Sequence, residues 1–163
     1  MELAITKEIN KEYIEAVNYY EDEINNHSNS ASLDSYINLA FLYWCFAFDL
    51  FGFNIPNNIP DTYSIIGGKK YLKILELGLD KYPNSVELNF WKKYFPHIIF
   101  SEEFSVQDCK QLMEKFEGSQ SSVPYFFLYQ FDNDKYEREK KELLEECKKL
   151  PTAKNLYIKS ILI

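Results

Sequence analysis

Apolar residues recur at three- and four-residue steps along the chain, and this spacing predicts helices over almost its whole length. In residues 5–25 the recurring positions are Ile9, Tyr13, Ala16, Val17, Tyr20 and Ile24. They predict one amphipathic helix. Residues 33–50 are apolar nearly all round, so we expect a second helix that is buried at the centre of the fold.

Proline, glycine and asparagine residues separate the helical patterns. Residues 51–68 hold two prolines, several asparagines and the Gly67–Gly68 pair, and they predict a long loop. The next pattern, over 69–100, predicts a helical hairpin in which Pro83 ends the first helix and Asn84 or Ser85 caps the second. On this interpretation the glycine pair is the junction between the loop and the hairpin.

Further helices are predicted over residues 105–163. Ser105 with Asp108 has the spacing of a capping box, and Gly118 is a helix stop. The aromatic run 123–131 fits a strand or a helix. We assign it to a helix because its neighbours are helical and a lone strand would leave its backbone unpaired.

The predicted fold class is therefore all-α, with about eight helices in antiparallel hairpins and no convincing strand. We expect a single domain over residues 1–163. Its parts are acidic N-terminal helices in 1–50, the loop 51–68, the hairpin 69–100 and the C-terminal helices 105–163.

Two groups of residues resemble the tetratricopeptide repeat (TPR). An aromatic residue, a leucine, a small residue and a tyrosine stand at the spacing of the repeat's first helix: Tyr36, Leu39, Ala40 and Tyr43. A bulky residue, a small residue and a terminal proline match its second helix: Leu75, Gly78 and Pro83. The stretch LDKYPNSVELNFWKKYF is also similar to the half-TPR (HAT) variant. The resemblance implies an irregular, TPR-like, right-handed stack of hairpins.

The net charge of −7 lies entirely in the first third of the chain. Residues 1–60 hold two basic and nine acidic side chains, whereas residues 61–163 hold sixteen of each. A nucleic-acid binder needs a basic stripe that displaces counterions from phosphate, so this distribution argues against direct nucleic-acid binding. It favours a basic protein partner.

The residues that most often carry catalysis are scarce. The two histidines, His27 and His97, have no partner at a recognisable spacing, and the three cysteines lie too far apart in sequence for a metal motif. We predict no catalytic residue, no metal site and no cofactor, and we do not expect an enzyme. An enzyme with an unfamiliar site would need a deep pocket that holds His97 beside carboxylates of shifted pKa.

Cysteine use and the N-terminal sequence bear on location. The cysteines stand within helical patterns, as reduced and buried thiols do, which favours a reducing compartment. The N-terminus lacks a signal-peptide pattern, and the longest apolar run, residues 41–48, is too short to span a bilayer. We therefore expect a cytoplasmic protein that makes no contact with a membrane.

In overall character the chain resembles the bacterial immunity proteins of contact-dependent inhibition and polymorphic-toxin systems. It is small, acidic and rich in aromatic residues, it has no enzyme motif, and it contains the segment IPDTYSIIGGKKYLKILELGLDKYP. The resemblance implies a protein that neutralises a toxin by binding its catalytic domain, commonly a basic nuclease. It implies no role for a particular residue.

The predicted binding residues combine acidic groups of the first third with aromatic groups beside the loop. Glu8, Glu12, Glu15 and Asp22 share one face of the first helical pattern, which is either a docking surface or an ordinary solvated face. Phe51, Phe53 and Tyr63 flank the loop, where an exposed ring can anchor a partner. The predicted interface is Glu8, Glu12, Glu15, Asp22, Asp34, Asp49, Phe53 and Tyr63.

We expect a monomer that forms a heterodimeric complex with a basic toxin domain. The alternative is a TPR-like adaptor that binds a peptide or helix of some other protein in a groove between hairpins.

Overall fold

The computed structural model describes residues 2–116 and 120–163, and every regular element in these ranges is helical. The predicted all-α class is confirmed for this part of the chain. The helices are α1 Glu2–Ile9, α2 Tyr13–Asn26, α3 Leu33–Phe48, a π-helical turn Leu50–Asn54, α4 Thr62–Lys81, α5 Val86–Phe100, α6 Val106–Lys115, α7 Tyr125–Tyr129, α8 Glu137–Lys149 and α9 Ala153–Leu162. The predicted helix stop at Gly118 lies outside the described residues.

The predicted single domain over 1–163 contains two compact units. Unit 1 comprises Met1–Lys81 together with Thr152–Lys154, and unit 2 comprises Tyr82–Pro151 together with Asn155–Ile163. The two helices of the predicted hairpin 69–100 consequently fall in different units, α4 in unit 1 and α5 in unit 2.

The N-terminal pattern forms two helices, where the spacing predicted one over 5–25. Lys11 adopts a left-handed backbone conformation with φ of 62°, which ends α1 and redirects the chain before α2 begins at Tyr13. An L-residue leaves the right-handed helix at such an angle, so the two helices cannot share one axis. This break decides where the acidic side chains of α1 lie.

Helix α3 is the core of unit 1, as its apolar pattern predicted. Every side chain from Ser35 to Phe46 is buried. Helix α4 packs against it in the antiparallel sense, because Gly67 lies beside the backbone of Tyr43 while Lys81 lies over the ring of Tyr36. The residues that match the TPR pattern in these helices therefore lie on a packed antiparallel pair. The right-handed, TPR-like stacking of the hairpins stays a prediction.

The predicted loop 51–68 is largely helical. A π-helical turn begins at Leu50, and α4 starts at Thr62, so only residues 55–61 lie between them. Gly67 and Gly68 are interior residues of α4 and do not form a junction. Glycine costs a helix about 1 kcal/mol relative to alanine. Here the close approach of α3 explains its presence, because a Cβ on Gly67 would lie 2.3 Å from the Tyr43 carbonyl oxygen.

Unit 2 is built on an aromatic cluster carried by α5 and α7. The Trp91 ring is stacked on Phe95 and Phe126 at centroid distances of 5.2 and 5.7 Å. The Tyr94 hydroxyl lies 2.7 Å from that of Tyr157 in the part of α9 that belongs to unit 2. The aromatic run 123–131 contains the short helix α7, which confirms the helical assignment over a strand.

The capping box predicted at Ser105 is also present. The Ser105 side chain accepts a hydrogen bond from the Asp108 backbone N–H, and the Asp108 carboxylate accepts one from the Ser105 backbone N–H. The bond from the Ser105 backbone N–H, together with one that the Ser105 hydroxyl donates to the same carboxylate, lowers the pKa of Asp108. The start of α6 therefore coincides with the local sequence motif that predicted it.

The polar connector between α2 and α3 is held by one lysine of α4. The Lys81 ammonium donates to the backbone carbonyls of Ser28 and Ala31, the second at 2.7 Å, and approaches that of Asn29 at 3.4 Å. It also lies 6.0 Å from the centroid of the Tyr36 ring. A cation shared by these carbonyls fixes a segment that has no apolar side chain before Ala31.

We expect Lys81→Met to lower the free energy of unfolding by about 1–2 kcal/mol, because charge-assisted hydrogen bonds are lost while the aliphatic stem is kept. Urea unfolding followed by circular dichroism measures the effect. Lys73→Met, at an exposed position of the same helix, is the control and should change stability by less than about 0.5 kcal/mol. Equal effects of the two substitutions would show that the carbonyl contacts add nothing.

Candidate partner-binding surface

The eight predicted interface residues do not lie on one surface. Four are exposed: Glu12, Glu15, Asp22 and Asp34. Asp49 and Tyr63 are half-buried, whereas Glu8 and Phe53 belong to the interior of unit 1. The acidic surface is therefore smaller than the sequence suggested.

The exposed carboxylates of α2 form a single stripe with a tyrosine and with Glu12, the residue that directly precedes the helix. Glu12, Glu15, Tyr19 and Asp22 follow one another at steps of three and four residues, which places them on one side of the helix. We call these four residues the α2 acidic stripe. Tyr19 is 41% exposed, so its ring and hydroxyl are available to a partner.

Tyr19 is the residue of this stripe that the sequence reading did not select. The signal for it was present in the sequence, since Tyr19 stands four residues after Glu15 and three before Asp22, which is the spacing of one helix face.

The stripe is partly neutralised within unit 1. Lys7 of α1 pairs with both Glu12 and Glu15, and these carboxylates raise the pKa of the lysine. Asp22 accepts a hydrogen bond from the Asn26 amide at 2.6 Å and lies 3.7 Å from the His27 imidazole. One lysine pairs with two of the three carboxylates, so the stripe keeps a negative charge in addition to its exposed tyrosine.

The two remaining acidic residues have clear local roles in α3. Asp34 lies exposed in the first turn of α3, where a negative charge is favourable beside the positive end of the helix dipole. Asp49 follows the end of α3 and its carboxylate accepts a hydrogen bond at 3.0 Å from the backbone N–H of Gly52. Asp49 therefore stabilises the π-helical turn.

The aromatic anchors predicted beside the loop point inward. Phe53 is 9% exposed, with its ring 4.6 Å from Tyr13 and 6.0 Å from Phe46. Tyr63 packs edge-on against Phe46 at 5.5 Å. The exposed ring is Phe51, at 81%. Residues two apart in a helical turn lie on nearly opposite sides, so burial of Phe53 turns Phe51 outward.

Glu8 is a buried residue, with 1% of its surface exposed. Its Oε2 accepts a hydrogen bond from the Tyr20 hydroxyl at 2.7 Å, and its Oε1 accepts one from the backbone N–H of Ala153, also at 2.7 Å. The break at Lys11 separates it from Glu12 and Glu15. Glu8 therefore does not belong to the exposed acidic surface, because its carboxylate is engaged inside the fold.

Folding changes the charge asymmetry that the sequence shows. Unit 1 carries twelve acidic and seven basic side chains, a net charge of −5, while unit 2 carries thirteen and eleven, a net charge of −2. Four lysines of α4 and Lys154 outnumber the three further acidic side chains of unit 1, which accounts for the difference from the first sixty residues. The negative charge stays concentrated in unit 1, but part of it is balanced there.

The described residues also bear on thiol reactivity, metal binding and membrane-spanning helices. The three cysteines are buried, and burial raises the pKa of the Cys109 thiol to about 12. Such a thiol stays protonated and unreactive at neutral pH. Residues 2–116 and 120–163 contain no cluster of histidine, cysteine and acidic side chains that could hold a metal ion. Within those ranges, every helix is too short or too polar to cross a bilayer.

Comparison with models of known protein families, with curated proteins and with solved structures gave no match. The functional proposal therefore rests on the α2 acidic stripe.

Proposed function

We propose that the chain is a non-catalytic binding protein that docks a cationic protein through the α2 acidic stripe. The observation that supports this most is the stripe itself, where three carboxylates and an exposed tyrosine lie on one side of a helix in a unit of net charge −5. Negative potential accelerates encounter with a basic partner. An exposed tyrosine is the residue type that most often anchors a complex once it has formed.

The most specific form of this proposal is an immunity protein that neutralises a basic, nuclease-type toxin domain by direct binding. The resemblance in overall character supports it, together with the surface chemistry that a basic domain would require. We expect a cytoplasmic monomer that forms a heterodimer with the toxin. Docking on the stripe would block the toxin's active site or its access to nucleic acid.

The second candidate is a TPR-like adaptor for a peptide or helix of another protein. The antiparallel packing of α3 and α4 supports it, because these helices carry most of the residues that match the repeat. The two candidates differ in their partner. An immunity protein should protect cells from the product of a neighbouring gene, and an adaptor should not.

The first experiment uses the protein encoded by the neighbouring gene as the probe. We expect this protein to be toxic when expressed alone and harmless when co-expressed with the present chain, and the purified proteins to form a one-to-one complex. Absence of both protection and binding would reject the immunity proposal.

The second experiment tests the stripe by charge reversal in the same complex. The triple variant Glu12→Lys, Glu15→Lys, Asp22→Lys should associate at least about tenfold more slowly at low salt and lose most of the salt dependence. Stopped-flow fluorescence measures the association rate. The matched control is Glu102→Lys, Glu103→Lys, Glu114→Lys, which makes the same charge change at exposed positions of unit 2.

The control triple should slow association only modestly, since its charges lie outside the proposed surface. If both triples change the rate alike, net charge alone matters and the stripe is not the docking surface. In the same complex, Tyr19→Ser should raise the dissociation rate, because a ring that becomes buried on binding is removed. Phe131→Ser, which removes a 63% exposed ring from unit 2, should leave that rate unchanged.

A further inference from the structure

One buried polar cluster in unit 1 joins parts of the chain that are distant in sequence. The Glu8 carboxylate of α1 binds the Tyr20 hydroxyl of α2 and the backbone N–H of Ala153, which is 145 positions away in sequence. The Asn38 amide of α3 donates to the Tyr20 hydroxyl oxygen at 3.1 Å. Asn38 and Lys154 are also buried. Helices α1, α2, α3 and the first turn of α9 thus meet at a single carboxylate.

Glu8 acts as a helix cap supplied from elsewhere in the chain. The first N–H groups of a helix lack partners within the helix, and a nearby serine, threonine or aspartate usually accepts from them. At α9 the N–H of Ala153 is satisfied by a carboxylate from the other end of the sequence. The contact between Ala153 and α1 therefore includes an ionisable group.

The surroundings of this carboxylate favour its neutral form. Tyr13 and Tyr20 of α2, Cys45 of α3 and Lys154 of α9 are the titratable groups that interact with it. Burial is the largest influence and raises the pKa of Glu8 to about 7, although the bonds from Tyr20 and Ala153 and the charge of Lys154 act in the opposite direction. Burial and the neighbouring Glu8 carboxylate in turn raise the pKa of Tyr20.

We propose that Glu8 is a pH-sensitive latch that holds Ala153 and Lys154, the first two residues of α9, against helices α1 to α3 of unit 1. When the latch is closed the carboxyl is enclosed and keeps its proton to near-neutral pH. When it opens, the carboxyl meets water and ionises at its ordinary pKa of 4.5. Opening therefore releases a proton, and a rise in pH from 4.5 to 7 favours the open form. The proposal does not rest on the proposed function.

The pH dependence of opening follows from the difference in the pKa of Glu8 between the closed and open forms. Below pH 4.5 both forms are protonated and pH has no influence on opening. Between pH 4.5 and 7 the equilibrium constant for opening rises by up to about tenfold per pH unit. Above pH 7 both forms are ionised, and the dependence disappears. The latch is tightest in acid and loosest from neutral pH upward.

Amide hydrogen exchange at Ala153 in the full-length protein tests the latch. After correction for the intrinsic exchange rate, the protection factor of this amide should fall by between about tenfold and 100-fold from pH 5 to pH 8. In Glu8→Gln, which is neutral at every pH, it should not change with pH. The control Glu12→Gln alters an exposed carboxylate and should behave like the unaltered protein. A pH-independent protection factor in the unaltered protein would overturn the proposal.

A direct titration covers the case in which Glu8→Gln does not fold. The carboxyl carbon of Glu8 in the unaltered protein, followed by NMR, should titrate near pH 7. A titration of Glu8 near pH 4.5 would mean that opening does not depend on the ionisation of this carboxyl, and it would reject the proposal. Either measurement is therefore sufficient to reject the inference.

Discussion

Gly67→Ala is expected to destabilise the protein by at least about 2 kcal/mol, although alanine is the better helix former. The added Cβ would lie 2.3 Å from the Tyr43 carbonyl oxygen and 3.1 Å from the Ala47 backbone nitrogen. Both atoms belong to the backbone of α3, so no side-chain rotation can relieve the contact. Helices α3 and α4 would have to separate along the most buried helix of unit 1.

The neighbouring glycine provides a matched control. A Cβ on Gly68 would meet only the Ala47 methyl group, at 4.0 Å, which is ordinary van der Waals contact. Gly68→Ala should therefore stabilise the protein by about 0.5–1 kcal/mol through helix propensity. Urea unfolding followed by circular dichroism measures both variants. If both stabilise the protein, the contact between α3 and α4 is looser than the structure shows.

This pair of glycines also shows where sequence reasoning fails. A glycine pair usually weakens a helix, so local propensity predicted a junction at residues 67–68. The requirement at Gly67 comes from a helix more than twenty residues earlier in the chain and has no local signal. The all-round apolar pattern of α3 and the capping box at Ser105 were predicted correctly, because each depends on residues within one helix or one turn.

The acidic surface was predicted only in part, for a similar reason. The periodicity placed Glu8 beside Glu12 and Glu15 on the assumption of one continuous helix. The left-handed backbone at Lys11 ends that helix, and Asn10 is the one turn-favouring residue beside it, with no glycine or proline to mark the change. Because α1 and α2 do not share one axis, Glu8 of α1 points into the core, where it has a structural role. Glu12, Glu15 and Asp22, which lie after the break, kept the predicted exposure.

Which aromatic residues are buried also depends on the tertiary structure. Thirteen phenylalanines and thirteen tyrosines can fill a core in many ways, and composition does not tell which rings are buried. Phe51 and Phe53 were equivalent as loop residues. They became distinct only because a π-helical turn places them on opposite sides, with Phe53 against Tyr13. A binding surface made from loop aromatics therefore needs the structure before its residues can be chosen.

Trp91→Ala is expected to have the largest effect on unit 2, a loss of about 3–5 kcal/mol of unfolding free energy. Trp91 is 1% exposed and is stacked on Phe95 and Phe126, so its removal leaves a cavity inside the aromatic cluster. Its indole N–H also donates to the Glu87 carboxylate at 3.2 Å. Glu87 is itself buried, so the substitution additionally removes a hydrogen-bond donor from a buried carboxyl group.

Two further variants separate these contributions. Trp91→Phe retains a ring in the cluster but removes the indole N–H. Its loss of unfolding free energy should be smaller than that of Trp91→Ala by about 1–2 kcal/mol. Phe131→Ala removes a 63% exposed ring that meets the edge of the cluster at Phe127, 5.1 Å away, and should cost less than about 1 kcal/mol. Chemical unfolding followed by far-ultraviolet circular dichroism compares the three, since it does not depend on the tryptophan that is removed. A loss at Phe131 as large as that at Trp91 would mean that aromatic area alone, and not enclosure within the cluster, sets the stability of unit 2.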